Sequence, residues 1–248
     1  NKRMTRVLYP PPPGGLAMIA AALLAEGHQV LAFDLVVEPV TKRDLVQRVL
    51  KWGADAVGFS VLGAAFYATR ELARAFKEAA PEILVFAGHA LPSEYPEWFL
   101  KAIPEMDAVV VGEGEESAPA LVAAHPSEHV PGVRYQGQET HAFIPRPQLA
   151  NLDALPFPAW QVLPYRKYYA SPQLLFRSQP TLGVLQSRGC PWTCGYCAQN
   201  YLWPHVRKRS IESVVAEMRR NMRDFGIHHF GFYDSIFPLK PQYGEELL

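Results

Sequence analysis

All three cysteines of the 248-residue chain, Cys190, Cys194 and Cys197, lie within "SRGCPWTCGYCAQN", residues 187–200. Their spacing is C-x3-C-x2-C. Zinc ribbons and fingers reach four ligands through paired C-x2-C elements or through histidines at helical spacing, and here the nearest histidine, His205, stands beyond a Trp-Pro. Completion of a zinc site by His205 remains one reading. Thiolates also hold iron–sulfur clusters, ordinarily four to a [4Fe-4S] unit. With three, one iron keeps an open position, where a small chelating ligand can bind and receive electrons directly. On that reading the missing fourth cysteine is a catalytic feature.

Composition narrows the setting. Lysine plus arginine equals aspartate plus glutamate at 24 each, so no overall field favours nucleic acid or an anionic membrane as a partner. The apolar run "GGLAMIAAALLA" (14–25) is too short to cross a bilayer and is followed by globular pattern rather than a cleavage site. A cytoplasmic protein with no membrane span is expected. In a reducing compartment three close cysteines are ligands or catalysts rather than part of a disulfide framework.

The elements that must position these residues alternate between strand and helix. "TRVLYP" (5–10), "HQVLAFDL" (28–35), "ADAVGFS" (54–60), "EILVFAG" (82–88) and "MDAVVVG" (106–112) are nearly continuous apolar runs, as expected of strands covered on both faces. Between them Phe66, Thr69, Ala73, Phe76 and Ala80 form a helical stripe, and Thr41 with Asp44 three residues on reads as a helix N-terminus. The pattern predicts an α/β fold with a doubly wound, Rossmann-like parallel sheet over residues 1–128.

Residues 129–179 read as a small hairpin turning at Gly137 and Gln138, then a connector laid across the surface, with eight prolines from Pro131 to Pro180. From 180 the rhythm resumes. "TLGVLQS" reads as a strand, the cysteine loop follows, and Ile211, Val214, Val215, Met218, Met222 and Phe225 mark a helix face behind a Ser210 cap. "IHHFGFYD" reads as the next strand. This is about one and a half βα units, too few to close a barrel, so a piece of a longer protein is expected. His228 and His229, adjacent on a strand, point to opposite faces and cannot form a metal pair.

Cys190-Pro-Trp-Thr-Cys194-Gly-Tyr196-Cys197 resembles the hallmark of the radical S-adenosylmethionine enzymes, C-x3-C-x-φ-C, with Tyr196 as the aromatic position. The resemblance implies that the three cysteines hold a [4Fe-4S] cluster whose open iron is chelated by S-adenosylmethionine, and that the cofactor is cleaved reductively to a 5′-deoxyadenosyl radical. It also implies a partial (β/α) barrel beginning at residue 180, an external electron donor of the flavodoxin or ferredoxin kind, and a small-molecule substrate. "HHFGFYDSIF" resembles the family's second barrel strand, which places Asp234 at a strand exit near S-adenosylmethionine. Ser235 stands where a second acid is usual. Capping of the next segment is the structural alternative for Asp234.

The N-terminal strand exits, "YPPPPGG", "SVLGAA", "AGHALP" and "GEGEES", are rich in small residues and leave room for a broad ligand over the sheet edge. No G-x-G-x-x-G follows the first strand. Its nearest imitation, from Gly112, places three carboxylates where a pyrophosphate would lie. "PPPPGGLAMIAAALLAEGHQV", "GFS", "AGHA", "GEGE" and "NLDALPFP" resemble instead the cobalamin-binding class of radical S-adenosylmethionine enzymes, departing mainly at Ala87. That resemblance implies cobalamin contacts at Pro12, Gly14, Ser60, Gly88, His89, Gly112, Glu113 and Gly114. No D-x-H-x-x-G is present to give cobalt a histidine, and His89 either approaches the corrin or stabilises its turn. A methylthiotransferase is disfavoured, because the N-terminal domain of that branch brings cysteines of its own.

The expected function is cobalamin-dependent radical methylation of an unactivated carbon. The alternatives are a non-methylating radical cyclase or rearrangement enzyme, and a corrinoid- or metal-binding module with a structural cysteine site.

Overall fold

The computed structural model describes residues 11–124, 129–137, 143–169, 180–197 and 199–237. The chain divides into two compact units, one formed by the described residues of 26–29 and 40–149, the other by those of 1–25, 30–39 and 150–248.

The first unit is an α/β sheet. Helix α1 (Gly14–Ala25) belongs to the other unit, and α2 (Lys42–Trp52) opens this one. Thr41 Oγ1 accepts the Asp44 N–H at 3.1 Å, and Gly53 ends the helix at φ 82°. Strands β1 (Ala56–Ser60), β2 (Leu84–Gly88) and β3 (Ala108–Val110) run parallel and adjacent, with Ser60 opposite Gly88 and Ala87 opposite Val109. Between β1 and β2 lies α3 (Phe66–Ala79), which buries Thr69, Ala73 and Phe76 of the expected stripe together with Leu72, while Phe66 is half-buried and Ala80 is buried at the helix end. Helices α4 (Ala90–Glu94) and α5 (Pro96–Ala102) connect β2 to β3, and α6 (Ser117–Ala123) follows β3. Val85, Ala87, Val109, Phe99, Ile103 and Met106 are buried at the centre.

Strand β4 (Val133–Tyr135) adds an antiparallel edge to β3. The hairpin expected over 130–145 turns at Gly137 and Gln138, and Gln138 lies outside the described residues; among those described, the Gly132 N–H donates to the Ile144 carbonyl at 2.8 Å and residues 143–149 form no strand. The expected strand at 5–10 also lies outside them.

Residues 28–35 form no strand, contrary to their apolar pattern. Asp34 bends the chain by accepting the Val36 N–H on Oδ1 at 3.0 Å, and its Oδ2 receives the Tyr168 hydroxyl at 2.9 Å. Lys167 pairs with Glu38 at 2.8 Å, and Ala32 and Val37 pack against a cluster around Trp160. These tertiary partners outweigh local β propensity.

In the second unit β5 (Thr181–Val184) and β8 (His229–Phe232) pair in parallel, with Gly183 opposite Gly231. The core joins Ala17, Trp160, Leu163, Tyr168, Leu182, Phe225 and Ile227. Residues 150–169 are therefore no surface connector. They supply Trp160 and Tyr168, both at 0% exposure. Proline explains how such a segment can be buried without regular structure, since it brings no backbone N–H that needs a partner.

Candidate functional site

The cysteine loop leaves β5 and returns to helix α8 (Ile211–Phe225) through a narrow neck. Strands β6 (Ser187–Arg188) and β7 (Arg207–Lys208) pair antiparallel across it, Ser187 opposite Lys208 and Arg188 opposite Arg207, with helix α7 (Gln199–Leu202) inside the loop. Gly189 closes the neck at φ 90°, and a Cβ there would collide with the His205 carbonyl. A left-handed residue pressed against backbone has to be glycine.

Within the loop all three thiols are free, Cys190 half-buried and Cys194 and Cys197 exposed, and the Cys197 N–H donates to the Cys194 carbonyl at 3.0 Å. Tyr196 is 93% exposed and Trp192 65%. Among the described residues no three His, Cys, Asp or Glu side chains stand close enough together to grip one metal ion. The donor chemistry nonetheless fits a cluster, because three free thiols share one tethered loop. Metal ligation takes the proton from each thiol and draws the three sulfurs together, so metal binding and the arrangement of the loop are coupled.

Asp234, just past β8, turns back onto the root of the loop. Its Oδ2 accepts the Gln186 N–H at 3.1 Å, and its Oδ1 accepts the Ser187 N–H and, at 2.6 Å, the Ser187 hydroxyl. Burial pushes its carboxyl above the ordinary aspartate value, against the opposing pull of those hydrogen bonds. On the other side, Arg209 donates through its backbone N–H to the Gln186 carbonyl at 2.8 Å and through Nη1 to the Leu185 carbonyl at 3.2 Å. Its guanidinium also binds the Ser213 carbonyl and hydroxyl, lies 5.6 Å from the Phe157 ring, and forms an ion pair with Glu217.

Sequence reasoning missed Gln186, Arg209, Glu217 and Asn221. Helix α8 buries Val214, Glu217, Asn221 and Phe225, whereas Met222 of the expected stripe is exposed. The signal was present in the spacing, since Glu217 and Asn221 fall at helical intervals from Val214 and Phe225. Their polarity hid it. Both Gln186 amide atoms, Glu217 Oε1 and both Asn221 amide atoms are buried with no hydrogen-bond partner among the described residues. Burial pushes the Glu217 carboxyl up, opposed by Arg209.

Ser60, Gly88, His89 and Gly112 gather at the carboxyl edge of the first unit's sheet. Ser60 pairs with Gly88, the Val61 N–H donates to the Gly88 carbonyl at 3.0 Å, and the Gly112 N–H donates to Ser93 Oγ at 3.0 Å. A Cβ on Gly112, at φ 79°, would meet nothing within 4 Å, so the loop is open above it. This small-residue shelf fits a broad, flat cofactor such as cobalamin. His89 is at φ 82° and ψ −168°, a conformation otherwise left to glycine, and its Nδ1 accepts the Ala90 N–H at 2.7 Å. Desolvation lowers its pKa, in keeping with a neutral ring that accepts. Glu113 accepts the Leu149 N–H at 2.8 Å, and the Gly114 carbonyl starts the turn into α6 by accepting the Ala118 N–H at 2.8 Å. Pro12 and Gly14 belong to the other unit, the one that carries the cysteines.

Residues 2–122 match the B12 binding domain family. The chain is 30% identical over 234 residues to an uncharacterized methyltransferase of Pyrococcus horikoshii, covering 92% of this chain and 50% of that protein. It is 28% identical over 230 residues to an anaerobic magnesium-protoporphyrin IX monomethyl ester cyclase of Synechocystis, covering 90% of this chain and 45% of the cyclase. A hopanoid C-3 methylase of Methylococcus capsulatus is 30% identical over 251 residues, covering 98% and 46%. The chain thus spans about half the length of these relatives. Among solved structures, the cobalamin-dependent S-adenosylmethionine radical enzyme OxsB shares the fold, with a TM-score of 0.71 at 19% identity, over 94% of this chain and 32% of that one. A match to the B12 binding domain family at 2–122 thus precedes the three-cysteine loop, in a chain similar to methyltransferases and ester cyclases and sharing the fold of OxsB.

Proposed function

We propose that this chain is the cofactor-bearing part of an enzyme that methylates an unactivated carbon of a small molecule, with S-adenosylmethionine, a [4Fe-4S] cluster and cobalamin as cofactors. The observation that carries the reading is the loop of three free thiols with no fourth, in one chain with a B12 binding domain. When bound, the reduced cluster with S-adenosylmethionine supplies one-electron chemistry able to take hydrogen from carbon, and cobalamin supplies the methyl group.

Cys190, Cys194 and Cys197 hold the cluster, and Tyr196 packs beside S-adenosylmethionine. Ser60, Gly88, His89, Gly112, Glu113 and Gly114 line the cobalamin shelf, and Pro12 and Gly14, at the start of α1, are further proposed cobalamin contacts. The proposed division is a cobalamin domain over 1–128, a connection over 129–179 whose residues 150–169 pack into the unit bearing the cysteines, and the start of the barrel over 180–248. Electrons come from a flavodoxin- or ferredoxin-like donor. No helix among the described residues is long and apolar enough to cross a membrane, and the proposed location is the cytoplasm.

Anaerobic reconstitution with iron and sulfide, followed by metal analysis, tests the cofactor reading. Uptake of iron and sulfide is expected, and uptake of zinc alone would end it. Similarity to the magnesium-protoporphyrin ester cyclases supports a second reading, radical ring closure without methyl transfer. Assay of the full-length enzyme for methylated product, against deoxyadenosine alone, separates the two.

A further inference from the structure

We propose that Arg209 and Asp234, with Glu217 behind Arg209, are positioning residues that hold the root of the cysteine loop in one fixed geometry. The inference rests on the cluster reading above and says how the fold aims that cluster.

Leu185, Gln186 and Ser187 form the root, between the end of β5 and Cys190. Backbone groups of all three are tied to a side chain or strand from elsewhere. The Leu185 and Gln186 carbonyls go to Arg209, and the Gln186 and Ser187 amides go to Asp234. Ser187 and Arg188 are also laddered to the returning stem. The outgoing stem, the returning stem and the exit of β8 are therefore cross-tied at one place.

The chemistry of the ties argues for position rather than stability. Glu217 is at 0% exposure, its Oε1 has no partner, and a buried ion pair stabilises little better than an apolar pair of the same size. What the pair offers is a fixed fork. Glu217 and Ser213 orient the planar guanidinium so that it meets the Leu185 carbonyl from one direction, which a lysine ammonium would not reproduce. Both oxygens of Asp234 are engaged by the root, which makes the residue an anchor of the loop. In one-electron and group-transfer sites a misplacement of about 1 Å is costly, and ligands on an exposed loop need such a frame.

The test uses the anaerobically reconstituted enzyme and the variants R209K, D234N and S187A, with V214A as a control that weakens α8 packing without touching the ties. Iron release to a chelator and the electron paramagnetic resonance of the reduced cluster, with and without S-adenosylmethionine, are measured beside thermal unfolding. R209K and D234N are expected to release iron about tenfold faster than the parent and to show an altered response to S-adenosylmethionine. S187A, which removes one bond and is the mildest change, is expected to shift in the same direction. V214A is expected to unfold more easily yet release iron at the parental rate. Parental iron release and spectra in folded R209K and S187A would overturn the proposal, as would accelerated release in V214A equal to theirs. A parent protein that takes up no iron would overturn the cluster reading, and this inference with it.

Discussion

Cys194 illustrates what a single side chain contributes here. It is exposed and forms no disulfide, so Cys194→Ala should leave the unfolding free energy within about 0.5 kcal/mol of the parent. It should also abolish stable incorporation of iron, as metal analysis after reconstitution would show. His89 makes the opposite case, since its cost is in the backbone. At φ 82° a non-glycine residue is strained, and the Nδ1 bond to the Ala90 N–H is the local compensation. His89→Ala keeps the strain and loses the bond, whereas His89→Gly removes both. Chemical denaturation should therefore find the glycine variant more stable than the alanine variant by about 1 kcal/mol. The turn-stabilising role of His89 was one of its two expected roles, but the positive φ was not readable, because a left-handed histidine has no signature in composition or spacing.

At the scale of elements, the ends of helices were legible and their buried faces only partly so. Thr41 and Ser210 cap α2 and α8 as their positions predict, each side chain accepting an N–H three residues on. The apolar face of α8 was misjudged because Met218 and Met222 outrank Glu217 and Asn221 in hydrophobicity, yet Arg209 draws Glu217 inward. The start of α8 carries a second device. Asp153 accepts the Ser210 N–H at 3.0 and 3.1 Å from its two oxygens. Partial desolvation raises its carboxyl, but the bonds from Ser210 and Ser213 and the charge of Arg209 outweigh that and lower its pKa overall. A carboxylate with a lowered folded pKa adds stability above its ordinary value of about 3.9 and loses it as pH falls through the folded value. The stability difference between the parent and Asp153→Asn should therefore be constant near neutrality and narrow below about pH 4. Paired denaturation curves across that range check it.

For the whole molecule, the two compact units do not follow the order of the chain. Helix α1 and residues 30–39 join the unit that bears the cysteines, drawn there by Trp160, Tyr168 and their neighbours. Trp160 is the largest fully buried side chain and belongs to a stretch whose prolines suggested a surface strap. Trp160→Ala should therefore cost about 3–5 kcal/mol, measured by denaturant unfolding. A value near zero would return that stretch to the surface.

Some of this was determined by residue type and spacing alone. The C-x3-C-x-φ-C loop, the parallel βα alternation of β1 to β3, the pairing of β5 with β8 across α8 and the small-residue strand exits all depend on local pattern. Local pattern is what period and cap chemistry encode. The tertiary structure decided what depends on partners far away in the chain. Residues 28–35 form no strand, and Asp34 and the nearby Glu38 reach instead to Tyr168 and Lys167, more than 125 residues on. Arg209, Glu217 and Asp234 became the frame of the cysteine loop because a buried charge is held only by the partner that meets it, and no spacing along the chain names that partner.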